Sequence, residues 1–148
     1  MCANLDIGGF DTHGQHDQNQ VPQLAELLAG VSSLKTMADN LIGGNIVILV
    51  GSDFGRTPMY NSGAGKDHWN ITSMLMMGQG ITGNRVFGKS DPEHNGLKVN
   101  SAGQEDPNGF VIHTGHIHKE LRKLAGIEDN PILAGSLLSE TETLNLFG

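Results

Sequence analysis

Three short stretches carry residue types able to do chemistry. They are Asp11-Thr12-His13 with His16 and Asp17, then Ser52-Asp53-Phe54-Gly55-Arg56-Thr57, then Lys66-Asp67-His68-Trp69. Carboxylates mixed with imidazoles suit zinc, manganese or iron, whereas an all-oxygen calcium or magnesium site uses fewer histidines. The expected ligands are Asp11, His13, Asp53 and His68. Zinc is the first candidate ion, with manganese, iron or calcium behind it. An Asp-x-His spacing is common by chance, and turn-capping aspartates with a loop histidine explain the same letters equally well. What favours ligands is that each stretch follows an apolar run, where strand ends of one sheet would converge.

Neighbouring residues have plainer readings beside the chemical ones. The planar fork of Arg56 could hold an ester oxyanion, but a salt bridge to Asp53 or Asp67 is the stronger expectation. Asp67 could orient a ligand histidine through its other ring nitrogen. Asn61 and Thr57 are expected to hold their loop by side-chain to backbone hydrogen bonds, and Trp69 to pack. A second histidine group, His113, His116 and His118, sits where a helix begins. Helical geometry sends His116 and His118 to opposite sides, so they cannot chelate together. The glycine-rich run at 78–83 lacks the Lys-Ser/Thr of a phosphate loop.

The elements that would position these residues can be read from periodicity. Residues 3–8 read as a short first strand broken by Gly8 and Gly9, and Phe10–Gln20 as a polar loop. Pro22 suits the first turn of a helix. Leu24, Leu27, Leu28, Val31, Leu34, Met37, Ala38 and Leu41 recur at three- and four-residue spacing, and Gly43-Gly44 stops them. The run Ile46–Val50 reads as a buried strand, so strand, helix and strand predict a right-handed βαβ crossover. Ser73–Met77 is a further strand, Lys89–Gly109 an irregular excursion, and Thr114–Leu124 a helix ended by Gly126. The tail from Glu128 is weakly patterned, with a turn at Asn130-Pro131. The expected fold is a three-layer α/β/α domain with a mostly parallel sheet, one domain over 1–148.

Composition narrows the partners. The chain has 148 residues, a net charge of -7 and no Lys/Arg cluster, which argues against nucleic acid. An anionic ester substrate would need local positive charge, which a bound ion supplies. The single Cys2 allows no internal disulfide, and no apolar run reaches membrane-spanning length. There is no signal-peptide pattern. The first residues, MCANLDIGGFDTH, read as a strand entering a functional loop, so the chain is expected to be the C-terminal part of a longer protein. A sheet lacking its N-terminal strands would carry an uncovered edge, a route to self-association.

The ordered motifs GGFDTHGQH at 8–16, GSDFGRTPMYN at 51–61, GKDHW at 65–69, MMGQGITGNRVFGKSD at 76–91 and LRKLAGI at 121–127 resemble domain-of-unknown-function family 1501. These are sulfatase-like bacterial proteins often exported by the twin-arginine route, similar to the alkaline phosphatase superfamily. The resemblance implies an alkaline phosphatase-like fold, a periplasmic or exported location and metal-dependent hydrolysis of phosphate or sulfate esters. Asp11 and His13 match its ligands after a strand, and His68 the histidine that completes that site. Asp53 matches the carboxylate of a second metal. Phe54 stands where the superfamily has a histidine, so that second site is one ligand short. The superfamily spaces its first pair as Asp-x-x-x-His, which makes His16 a competitor of His13. Its early Asp ligand and its Ser, Thr or formylglycine nucleophile lie in an N-terminal half that nothing here matches. The resemblance therefore implies the metal-binding part of an ester hydrolase, inactive alone, with a non-catalytic metal-binding or structural protein as the alternative.

Overall fold

The computed structural model describes residues 2–134 and 142–147. Residues 2–79 form one compact unit and residues 80–147 another, with the undescribed 135–141 inside the second. Residues 135–141 and 148 of the weakly patterned tail expected from Glu128 lie outside the described residues.

In the first unit the chain runs through helix α1 (His16–Ile42), then strands β1 (Val47–Val50), β2 (Gly55–Arg56), β3 (His68–Trp69) and β4 (Leu75–Gly78). The apolar run after α1 does form a strand, but its partner is β4 and the pairing is antiparallel. Val47 lies opposite Gly78 and Val50 opposite Leu75. Strands β2 and β3 make a second antiparallel pair, with Gly55 opposite Trp69 and Arg56 opposite His68.

This overturns the expected three-layer α/β/α fold with a mostly parallel sheet. The described strands form two separate two-stranded antiparallel sheets. A parallel sheet needs a crossover whose helix packs back onto it. Residues 3–8 supply no strand, and α1 packs on none of the strands. Ala38 is the one buried residue of α1, while Leu28 and Leu41 are 59% and 75% exposed. The three-and-four spacing therefore marks a helix correctly without marking a helix-on-sheet interface.

The start of α1 also departs from expectation. The helix begins at His16, so Pro22 stands inside it and not in its first turn. Gln15 adopts the left-handed conformation ahead of it (φ 47°). The first N–H groups of a helix lack partners of their own. Here the N–H groups of Gln15 and His16 donate to the carbonyls of Gly63 (3.1 Å) and Ala64 (2.8 Å). A loop nearly 50 residues away in sequence thus fixes where the helix begins. Its end is local: Gly43 and Gly44 both take positive φ, and Gly44 N–H returns to the Ala38 carbonyl.

The second unit holds α2 (Thr114–Leu124) and the short α3 (Pro131–Ala134). Its core is Val99, Leu144 and Leu146. Helix α2 spans the expected residues, and its buried residues are Gly115, His116 and Glu120. The N–H of His113 donates to His116 Nδ1 (2.9 Å), and the His116 ring stacks on Phe110. His116 is thus a helix-start residue set in the core. Lys89–Gly109 is irregular, stitched by isolated bridges from Ser90 to Gly96 and from Val99 to Glu105 and Phe110.

Candidate metal centre

Asp11 and His13 sit in the loop before α1, and His68 opens β3. The structure brings these three together. Asp11 Oδ1 lies 3.0 Å from His13 Nε2 and 3.4 Å from His68 Nε2, and the two Nε2 atoms are 3.1 Å apart. Among the described residues this is the one group of three or more Asp, Glu, His or Cys whose donor atoms converge closely enough for an ion. Divalent ions with bonds of about 2.0–2.1 Å space their ligand atoms about 2.9 Å apart in octahedral geometry and about 3.3 Å in tetrahedral. The 3.0 and 3.1 Å edges fall within that span, and the 3.4 Å edge lies just above it. All three side chains are about half exposed or more.

Each member is held by something outside the triangle. His13 Nδ1–H donates to Asp67 Oδ1 (3.0 Å), and a carboxylate can only accept. In the tautomer that carries its proton on Nδ1, the Nε2 lone pair faces Asp11 and His68. The same bond, followed by one from Asn61, holds the Asp67 carboxyl below its ordinary pKa of 3.8. Arg56 Nη2 donates to Asp11 Oδ1 (2.9 Å) and to the Phe10 carbonyl (2.7 Å), while Nη1 donates to the Lys66 carbonyl (3.0 Å). Asp11 is accordingly pushed below the usual carboxylate range, first by Arg56 and then by His68. Phe54 stacks on the His68 ring, with centroids 3.8 Å apart and planes 25° apart.

The β2–β3 register explains the convergence. Arg56 and His68 are directly opposite, and paired residues project from one face of a ribbon. One cross-strand pair therefore presents a ligand and the cation that anchors a second ligand. Gly55 is required beside it, because a Cβ there would meet the Ile71 carbonyl oxygen at 1.8 Å.

Asp53 is not one of the three converging residues. It lines an open depression of about 350 Å³ together with Phe10, Asp11, Phe54, Arg56 and Thr72. His16 is turned away as well. Its Nδ1 bonds the buried Thr12 hydroxyl at 2.7 Å, and burial lowers its pKa, followed by the effect of Lys66. Arg56 does pin a loop, but its partner is Asp11, not Asp53 or Asp67. Ser52 Oγ donates to the Phe54 carbonyl (2.7 Å). Thr57 Oγ1 donates to the Met59 carbonyl (2.9 Å), and Lys66 Nζ to that of Pro58 (3.2 Å). The sequence did not single out Thr12. Its place between two candidate ligands was the available signal, since three successive residues of a loop do not all face one point.

No curated protein and no solved structure matches this chain. A family model does match, over residues 1–140, and it spans the triangle together with the Asp67, Asn61 and Arg56 that support it. The chain belongs to the family described as protein of unknown function (DUF1501).

Proposed function

We propose that the first unit is a divalent-metal centre with Asp11, His13 and His68 as its protein ligands. The observation that supports this is the approach of Asp11 Oδ1 to His13 Nε2 at 3.0 Å. In the Nδ1-protonated tautomer both facing atoms carry lone pairs, which an ion between them would satisfy. A ring N–H would span the same 3.0 Å, so the proposal also draws on His68 Nε2, which converges on both atoms at 3.1 and 3.4 Å. Two imidazoles and one carboxylate with open positions suit zinc or iron better than calcium. A divalent ion held there would act as a Lewis acid on an ester oxygen of a small anionic substrate. The sulfatase-like chemistry, exported location and self-association through the open edges of β1 and β4 belong to this same proposal.

A second reading, metal binding without turnover, is favoured by a specific observation. Near the triangle the Ser52 hydroxyl is spent on a backbone carbonyl, and Arg56 bonds Asp11 and two carbonyls. Neither is poised to attack or to hold an ester. Titration of the metal-free chain with Zn²⁺ in a calorimeter tests the centre: one ion per chain is expected, and no saturable binding sinks the proposal. Assays with aryl phosphate and aryl sulfate, with and without chelator, separate the readings. Chelator-sensitive turnover supports the hydrolase, and binding without turnover supports the second reading.

A further inference from the structure

The ligand triangle is assembled from two loops, and one side chain bonds both of them. Asn61 uses both ends of its amide. Oδ1 accepts from the N–H groups of Gly63 and Gly65, each at 2.9 Å. Nδ2 donates to the His13 carbonyl (3.0 Å) and to Asp67 Oδ1 (3.1 Å). That same Asp67 oxygen receives His13 Nδ1–H. Asn61 therefore grips His13 twice, at its backbone directly and at its ring through Asp67, while its other end shapes the loop that leads to His68. A side chain with two donors and an acceptor of two bonds is needed, and only an amide of this length supplies it.

We propose that Asn61 is the positioning residue of the metal centre, setting the ring orientation and tautomer of His13 through Asp67. This rests on the reading of Asp11, His13 and His68 as metal ligands. The Asn61→Asp substitution isolates the role. It retains acceptors for Gly63 and Gly65, so the turn is kept, and it removes both donors. It also sets a second carboxylate against Asp67, whose repulsion pushes Asp67 away from His13. The sign is diagnostic. An added negative charge near a cation site would by itself tighten binding, whereas loss of positioning weakens it.

The experiment is a Co²⁺ titration of the metal-free chain, read by visible ligand-field absorption, for wild type, Asn61→Asp, Asp67→Asn and the double variant. Wild type is expected to bind one Co²⁺. Asn61→Asp is expected to bind about 10–100-fold more weakly, the range for lost support of a metal ligand, with shifted absorption bands and unchanged far-ultraviolet circular dichroism. The double variant should bind no worse than Asp67→Asn alone, because the two residues act in series. Asn61→Asp binding as tightly as wild type, with the same bands, overturns the positioning role and leaves the metal centre standing. Wild type without Co²⁺ bands overturns the centre itself, and the role of Asn61 with it. Additive losses in the double variant refute the route through Asp67.

Discussion

Replacing Gly65 by alanine tests the assembly of the site more sharply than removing a ligand does. Gly65 is buried where the 61–67 loop crosses the Asp11–His13 loop. A Cβ there would stand 1.8 Å from the His13 carbonyl oxygen, 2.0 Å from its carbon and 2.5 Å from Gly14 N. These are backbone atoms, which cannot rotate aside. Relief requires the two loops to separate by at least about 1.2 Å to reach even a tight contact. A metal site tolerates deviations of only about 0.2 Å in its ligand distances. His13 is on one loop and His68 follows the other, so the separation falls directly on the 3.1 Å approach of their Nε2 atoms.

The strain costs about 1–3 kcal/mol of stability, the usual penalty for overpacking. The larger effect is on binding. Gly65→Ala is expected to weaken Zn²⁺ binding by about 100-fold or more, as when outer support and a ligand are lost together. Gly63→Ala is the control. Its nearest contacts are ordinary, 3.5 Å to Asn61 Oδ1 and 3.8 Å to the His13 carbonyl, so its affinity should stay within about threefold of wild type. Calorimetry gives both affinities, and circular dichroism of α1 reports that the unit is still folded. Wild-type affinity in Gly65→Ala would refute the claim that loop contact sets the ligand triangle.

Three further outcomes follow from the geometry. Asp11→Asn should weaken Zn²⁺ binding by about 100-fold, whereas Asp53→Asn and His118→Ala should change it by less than about threefold, since neither residue joins the triangle; a large loss in Asp53→Asn would place that carboxylate at the ion. Burial raises the Glu120 carboxyl above its ordinary 4.5, opposed by Lys123 and Lys119. Its protonated form is therefore favoured by folding, and stability is greatest at low pH and falls as pH rises from about 4.5 toward the raised value. Glu120→Gln should then leave stability unchanged at pH 4 and raise it at pH 8 by an amount on the order of 1 kcal/mol, read by denaturant unfolding; a variant less stable at pH 8 would contradict this. The Asp11 carboxyl, held down chiefly by Arg56, should titrate below 3.8 in a carbon-detected NMR experiment. Its contribution is complete above 3.8 and is lost as pH falls through the lowered value. Arg56→Gln should move that midpoint up, and no movement would show that the 2.9 Å contact is not what depresses it.

What was legible in the sequence was residue type and local period; what was not was the partner of each element. The spacing from Leu24 to Leu41 and the Gly43-Gly44 stop are local, so α1 was readable as a helix and its end was placed. Its start depends on the carbonyls of Gly63 and Ala64 and could not be read locally. The run ending at Val50 declared a strand, because β-branched residues in sequence fit a pleated surface. It carried no information on direction, since an apolar run looks alike beside a parallel or an antiparallel neighbour. The partner, β4, is reached after an excursion that contains the β2–β3 ribbon, and an antiparallel pairing satisfies β1 without any crossover.

The same limit explains the site. The grouping of Asp11, His13 and His68 was readable from their side-chain types, and so was a bond from Asp67 to a histidine of the group, which is the one it makes to His13. Whether Asp53 joins them depends on the facing of β2. The register puts Arg56 opposite His68, and the guanidinium then bonds Asp11 and the carbonyls of Phe10 and Lys66. Asp53 precedes that strand and lies outside the triangle. Phe54 stacks on His68 and so orients a ligand while offering no donor of its own. If an ion is held there as proposed, the ring at that position and the carboxylate left to line a depression limit its protein ligands to three. The guanidinium anchoring Asp11 has its Nη donors directed at Asp11 and at the carbonyls of Phe10 and Lys66, so it ties the two loops together and does not face outward.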